Sequence, residues 1–392
     1  MDGMRFGHAL LPLWDLEPGM AFLNHGSYGA TPREVAAEAQ NWRARMERQP
    51  VRFFADELPG ALRDAATVLA RFVGCAPERL GFVENASSGT NAVLGSIPFA
   101  AGDEVLSTTH GYNAVRNNLR HLATTSGIVP VEAPVPFPIA SEDAALRAIE
   151  ESITPRTRLI LVDHVTSASA LILPIAQIVA LARQHCIAVL IDGAHGPGMV
   201  DLDVDAIGAD WYVGNCHKWL CAPKGAGFIA VSPSPAFEVH PTVISHAYAQ
   251  GFTAEFDRIG TRDCSAWLAV PAAVALHERL GGASLRERNR DLACRMAANL
   301  AEALGTGLGG PASITGSIAT VRLPWTGPAE TLVGHALRRR LWQEDRVELP
   351  VMALGGALWA RLSAAPYNEE ADYAGLADVL RRCLRRAQDQ DA

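Results

Sequence analysis

The sequence predicts an α/β fold. A large domain built on a mostly parallel mixed sheet flanked by helices is followed by a smaller α+β C-terminal domain. Three observations carry this expectation. Short apolar runs alternate with amphipathic stretches of helical period through the middle of the chain, the pattern of a sheet covered on both faces. Several of those runs end in polar residues, where ligands gather in such sheets. After Pro271 the texture changes to long charged helices interspersed with a few strands.

In chain order, residues 62–73 read as an amphipathic helix and 104–107 as a short strand. A helix over 143–153 leads into the apolar strand Arg158-Leu159-Ile160-Leu161-Val162-Asp163. The next helix, 174–184, begins at Pro174, whose missing N–H costs nothing in a first turn. Strands over 187–192, 210–213 and 227–231 follow. In the second half, a helix over 284–304 passes through a glycine-rich surface connection at 305–316 to a strand at 317–323. A helix over 330–342, strands near Val347 and over 358–363, and a last helix from about Glu369 complete the chain.

Bulk properties narrow the function. With 392 residues, 49% of them apolar, the chain can bury a large core. A net charge of −8 argues against a nucleic-acid surface, so Leu337-Arg338-Arg339-Arg340 and Leu380-Arg381-Arg382 read as solvated helix faces. Seven cysteines with no CxxC pair suit a reducing compartment. The start, Met1-Asp2-Gly3-Met4-Arg5-Phe6, lacks the charged-then-apolar pattern of an export signal, and no apolar stretch reaches membrane length. A cytoplasmic protein without membrane contact is the expectation.

The chemistry concentrates at strand ends. Lys218 follows a strand in Val213-Gly214-Asn215-Cys216-His217-Lys218-Trp219, and Asp192 closes another in Val189-Leu190-Ile191-Asp192-Gly193-Ala194-His195. A buried lysine beside an aromatic residue, paired with a strand-end carboxylate, is what pyridoxal 5'-phosphate (PLP) requires. The lysine forms a Schiff base, and the carboxylate keeps the pyridine nitrogen protonated so that the ring acts as an electron sink. Taken singly, Asp192 also reads as a turn cap, Lys218 as a surface lysine, His195 and His217 as core histidines, and His110 as a loop residue. Their joint placement at successive strand ends favours one shared site. Val83-Glu84-Asn85-Ala86-Ser87-Ser88-Gly89-Thr90-Asn91 precedes a helix-like segment and reads equally as a phosphate cradle or an ordinary N-cap. Other chemistries lack their signatures. No GxSxG elbow is present, Lys224-Gly225-Ala226-Gly227 is no Walker loop, and neither HExxH nor paired CxxC supports a metal site.

These motifs resemble those of the class V aminotransferases, PLP enzymes of fold type I, and within them the isopenicillin N epimerase-like branch. The similarity runs from Leu23-Asn24-His25-Gly26-Ser27-Tyr28-Gly29 through 85–91, 163–167, 192–195 and His217-Lys218. It continues in Gly260-Thr261-Arg262-Asp263 and ends at Arg361-Leu362-Ser363-Ala364-Ala365-Pro366-Tyr367-Asn368. The resemblance implies Lys218 as the Schiff-base lysine, Asp192 on the pyridinium nitrogen, His195 on the ring oxygen and His110 stacked on the ring, with Tyr112 as runner-up. It implies Ala86 and Ser87 on the phosphate with Asn215 and His217 assisting, although relatives often carry serine where Asn215 stands. Thr261 is implied to reach the phosphate across a homodimer interface, giving a composite site. Arg361 is implied as a bidentate clamp on the substrate carboxylate, a task lysine does poorly, with His25 and Tyr28 near the substrate. The implied organisation is an N-terminal segment 1–30 that contributes to the active site, a large PLP-binding domain 31–270 and a small domain 271–392.

The implied function is chemistry at Cα of an amino acid or aminoacyl peptide. Removal of the Cα proton is followed by epimerisation, by β-elimination as in a C–S lyase, or by transamination. True epimerisation needs a second acid/base opposite Lys218, for which Tyr28, His25 and Tyr112 are the candidates. A persulfide-forming desulfurase is disfavoured because no cysteine stands between Cys294 and Cys383, and Cys383 lies in an apparent helix; Cys216 and Cys264 read as packing residues. A non-catalytic PLP-binding regulator is the reading from outside enzymology, and the complete set of Lys218, Asp192 and Arg361 argues against it. Lys218→Ala is expected to abolish the visible absorbance of the lysine-bound cofactor, and an unchanged spectrum in the purified variant refutes the assignment of Lys218.

Overall fold

A computed structural model describes residues 5–391; the opening Met1-Asp2-Gly3-Met4, part of the start examined for an export signal, lies outside the described residues. The main element is a seven-stranded sheet. Its strands are β1 (Leu80–Val83), β2 (Glu104–Thr108), β3 (Val129–Ala133), β4 (Thr157–Asp163), β5 (Ala188–Gly193), β6 (Trp211–Asn215) and β7 (Gly227–Val231), in the order β1-β7-β6-β5-β4-β2-β3. Only β7 runs against the rest. Period-two alternation divides each central strand between two cores. In β4, Ile160 and Val162 join one cluster while Leu159 and Leu161 join the other. The first cluster is closed by helices such as Leu58–Val73 and Val270–Arg279, the second by Ala86–Ser96 and Asn113–Thr125.

Five strands of this sheet stand where the apolar runs predict them, within two residues at each end. The other two, β1 and β3, carry weaker signals. β1 has only four residues, Leu-Gly-Phe-Val, buried throughout without alternation. β3 is an edge strand, mostly exposed, and holds Pro130, which an edge tolerates. Pro174 serves as N-cap of Ile175–Gln184 rather than as its first residue.

A second core gathers a three-stranded antiparallel sheet, β9 (Val351–Leu354), β10 (Ala357–Ser363) and β8 (Ile318–Arg322), in that order. Helices Ala283–Leu304, Thr331–Asp345 and the last helix, Leu376–Asp391, complete it. Helix Val270–Arg279, which a division at residue 271 gives to the small domain, packs in the large core through Val270, Ala273, Val274 and Leu276. The letters of Gly305-Thr306-Gly307-Leu308-Gly309-Gly310 also spell GxGxxG. The run leaves a helix C-terminus and leads through the short 3-10 turn Ala312–Ile314 to a strand, not the strand–loop–helix order a dinucleotide needs. Among the described residues no helix is long and apolar enough to cross a membrane.

The N-terminal segment joins the two cores. Ala21–Phe22 pairs in parallel with Val347–Glu348, and Leu23 is buried in the smaller core. The short helix His25–Tyr28 then lies against the Lys218 loop. Gly29 sits at φ +70°, and a Cβ there would stand 2.0 Å from the carbonyl oxygen of His217. Gly29→Ala therefore combines a backbone region almost confined to glycine with a direct clash. It is expected to cost about 2 kcal/mol or more of unfolding free energy and to weaken PLP retention. Wild-type-like denaturation together with wild-type-like PLP affinity would show that this packing is dispensable.

Candidate active site

Parallel strands that end in register bring the polar residues together. Asp163 at the end of β4 lies beside Asp192 on β5, and Asp192 beside Val213 on β6. Gly193 and Gly196 are required here, because a Cβ at either would fall 2.1 to 2.2 Å from the ring or hydroxyl of Tyr212. Three residues past β6, a tight turn presents Lys218; the N–H of Cys221 donates to the Lys218 carbonyl at 3.1 Å and Ala222 N–H to that of Cys216 at 3.0 Å.

The strand ends open into a cavity of about 300 Å³. Asp163, Asp192, His195, Asn215, His217 and Lys218 line it, together with Ala86 and Ser87 from the start of helix Ala86–Ser96. Lys218 Nζ lies 3.0 Å from His195 Nε2, and Trp219 Nε1 donates to His195 Nδ1 at 3.1 Å. Burial, reinforced by the Arg361 charge, pushes the Lys218 amine down to about 8; Asp192 and Asp163 oppose the shift. Burial raises both carboxyls. Asp163 also feels the charge of Asp192 and is pushed well up, whereas Asp192 is steadied by the Ala194 N–H at 3.0 Å and by Lys218. The stronger upward push falls on Asp163, so of the two Asp192 is the better placed to carry the negative charge.

At the other end of this cavity, helix geometry leaves the Ser87 N–H without a partner inside the helix. The Ala86 N–H is engaged by Asn215 Oδ1 at 2.8 Å, so the backbone donor expected of Ala86 is already used, and Asn215 keeps its NH2 as a donor. His217 donates through Nδ1 to the Ala226 carbonyl at 3.1 Å, which turns Nε2 free for other contacts. Lys224 lines the same end and adds a cation. A buried carboxylate, a lysine of lowered basicity and a helix start with nearby donors thus fit the ring nitrogen, aldehyde and phosphate of PLP, which supplies an electron sink when bound.

A second, outer cavity of about 630 Å³ shares Ser27, Tyr28, Tyr112, Ser167 and Lys218 with the first. Arg361 lines it from β10. Its Nη1 donates to the Ser167 carbonyl at 2.6 Å and its Nη2 to Ser27 Oγ at 2.9 Å, while its buried Nε has no partner. Among the described residues it forms no ion pair with a carboxylate, and burial lowers its pKa to about 10. Such a guanidinium is built to receive a carboxylate from a ligand.

Several expected residues stand elsewhere. His110 lines neither cavity. Its Nδ1 accepts from Ser169 Oγ at 2.7 Å, its Nε2 donates to the Val135 carbonyl at 3.1 Å, and its ring meets Phe137 edge-on. Tyr112, the runner-up, lines both cavities. His25 is fully buried, accepting from Tyr367 Oη at 2.7 Å and donating to the Lys218 carbonyl at 3.0 Å, so it braces the lysine from behind. Tyr28 lies at the junction of the cavities, 75% exposed. Thr261 is exposed on a separate groove beside Phe54 and Leu58 and lines neither cavity of its own chain. Sequence reasoning passed over Asp163, Ser167 and Lys224 as individual site residues. The first two stand at the ends of the strand-end stretch 163–167, and that position is the available signal.

This arrangement agrees with the comparisons. A family model described as Aminotransferase class-V matches residues 29–342. The chain belongs to this family of PLP-dependent enzymes. It is 33% identical to isopenicillin N epimerase of Amycolatopsis lactamdurans, over 93% of this chain and 96% of that protein. It is 31% identical to a probable chloroplastic L-cysteine desulfhydrase of Arabidopsis thaliana, over 94% of this chain and 84% of that one. Among solved structures, a cystine C–S lyase in complex with cysteine persulfide superposes with a TM-score of 0.79 at 21% identity, covering 94% of this chain and 98% of the other. A cysteine desulfurase from Thermococcus onnurineus gives 0.80 at 18% identity, covering 98% and 100%. These two structures establish the shared fold. Arg361→Ala is expected to weaken amino-acid binding at least tenfold, the loss of a charge-assisted bidentate contact. PLP affinity should change little; equal loss of both, measured by spectral titration, would make Arg361 a structural residue.

Proposed function

We propose that the chain catalyses PLP-dependent proton transfer at Cα of an amino acid or aminoacyl substrate, with epimerisation as the leading outcome. One observation carries the reading: the carboxylate-seeking Arg361 lines the outer cavity together with Lys218, which also lines the inner one. A carboxylate held there brings its own Cα to the lysine. Lys218, with basicity lowered toward neutral pH, removes that proton, and a second donor on the opposite face returns one to invert the centre. Tyr28 and Tyr112 line the junction of the two cavities. Burial raises the Tyr112 phenol, so it remains protonated and able to donate. The outer cavity, walled by Met20, Phe22 and Met352, suits a substrate that extends well beyond Cα.

Direct β-elimination from a cysteine-type substrate is the second reading, favoured by the desulfhydrase relatives. No cysteine lines either cavity, and Cys383 is buried with its thiol pushed up to about 11, which suits elimination without a protein persulfide. We further infer a cytoplasmic homodimer. Unpaired thiols at all seven cysteines support a reducing compartment. The exposed position of Thr261 supports a second subunit whose cofactor it approaches. We retain the division into segment 1–30 and domains 31–270 and 271–392 as a functional scheme.

Proton NMR of the PLP-loaded protein with a panel of amino acids and cysteine conjugates in D2O tests these readings. Loss of the Cα–H signal without consumption, with chiral analysis showing both enantiomers, is the expected result. Conversion to a keto acid with release of sulfide or thiol would replace epimerisation by elimination. A keto acid formed with amino transfer to the cofactor would mark a transaminase.

A further inference from the structure

We infer that Trp219 is a positioning residue: its indole N–H fixes the tautomer of His195 and, through that ring, holds Lys218 as a free amine. The observation is a linear set of contacts, Trp219 Nε1 to His195 Nδ1 at 3.1 Å and His195 Nε2 to Lys218 Nζ at 3.0 Å. All three side chains are buried. An indole N–H only donates, so Nδ1 must accept and carries no proton. An imidazolium has a proton on both nitrogens and cannot accept from the indole. The ring is therefore neutral, with its proton on Nε2. That N–H points at Nζ. An ammonium has three donors and no lone pair, so the contact is favourable only when Lys218 is unprotonated and accepts.

The indole is held in place by its surroundings. Trp219 packs with Val165, Met199 and Ile318, and its ring lies 5.0 Å from that of His25. A Cβ on Gly26 would press on Trp219 Cζ2 at 3.2 Å, so glycine there lets the N-terminal segment close over the indole. The other charged or titratable groups around Lys218 are Asp163 and Asp192 from β4 and β5, Arg361 from β10, His217 beside it in sequence, His25 on its carbonyl, Glu84 and Lys224 in the same cavity, and Tyr28 and Tyr112 from the cavity mouth. The two aspartates favour the ammonium, and Arg361 opposes it. The tautomer-fixed imidazole adds a directional contact that selects the free amine. It also makes His195 an obligate donor toward the cavity. The free amine is the form that attacks an aldehyde, so the apo-protein is primed to take up PLP.

The test is made on the apo-protein and does not depend on substrate turnover. Nitrogen-15 NMR of histidine-labelled wild-type protein should show His195 neutral with its proton on Nε2 from pH 6 to 9. A proton on Nδ1, or an imidazolium in that range, overturns the proposal without recourse to any variant. In the second arm, the rate of Schiff-base formation with added PLP is followed against pH. Trp219→Phe keeps an aromatic ring and deletes the donor. Its midpoint for Schiff-base formation should rise by about one pH unit, making uptake roughly tenfold slower below both midpoints, and its His195 spectrum should change. A folded variant with an unchanged midpoint and an unchanged His195 tautomer refutes the role, whatever its activity.

Discussion

Four ionisable groups are buried in one cleft, and their mutual charge balance governs the site. Asp163, Asp192, Lys218 and Arg361 are each removed from water, which for unpaired charges costs several kcal/mol apiece. The chain offsets this in different ways. Asp163 accepts a proton, Lys218 tends to lose one, Asp192 takes the Ala194 N–H, and Arg361 uses a carbonyl and a hydroxyl. Two partners are left to be supplied by ligands. In the proposed function a protonated ring nitrogen would answer Asp192, and a substrate carboxylate would answer Arg361. Binding therefore completes electrostatic pairs that folding leaves incomplete.

The N-terminal segment is what holds this balance in shape. Residues 21–29 cross from the smaller core to the lysine loop and touch each main part of the site. Asn24 and Ser27 meet the Arg361 guanidinium, His25 holds the Lys218 carbonyl, Gly26 makes room for Trp219, and Gly29 packs on His217. Asn24 also donates to Glu348 at 2.8 Å, which joins the segment to the strand pair of the smaller core. A shift of this segment thus moves the carboxylate clamp and the lysine together. Such coupling suits a reaction in which a substrate held by its carboxylate must present Cα to the amine.

Under the proposed function, the residues that would remove the Cα proton differ from those that would select the outcome. The inner cavity, with its aspartates and lysine, serves any reaction that begins by removing the Cα proton. The junction and outer cavity, with Tyr28, Tyr112 and the apolar wall, decide what else is within reach. Relatives named as an epimerase and as a desulfhydrase stand at nearly the same identity to this chain.

The strands whose apolar runs are long and central were legible, because burial on both faces leaves a continuous signal. Short β1 and edge strand β3 were not, since β1 offers only four residues, glycine among them, and β3 is mostly exposed. At the site, Lys218, Asp192 and His195 were readable as candidates from residue type and position at strand ends, whereas Arg361, inside β10, was a candidate only through the resemblance. His110 and His25 were readable only as candidates; their ring nitrogens are taken up by Ser169, Val135, Tyr367 and Lys218, partners 25 to 342 residues away in the chain. The sequence by itself determined the order of strands and the chemical types placed at their ends, because periodicity and residue chemistry are local properties. Only the tertiary structure decided which of those residues face the cleft, which proton each carries and how far the cavity extends, because hydrogen-bond partners and burial come from segments remote in sequence.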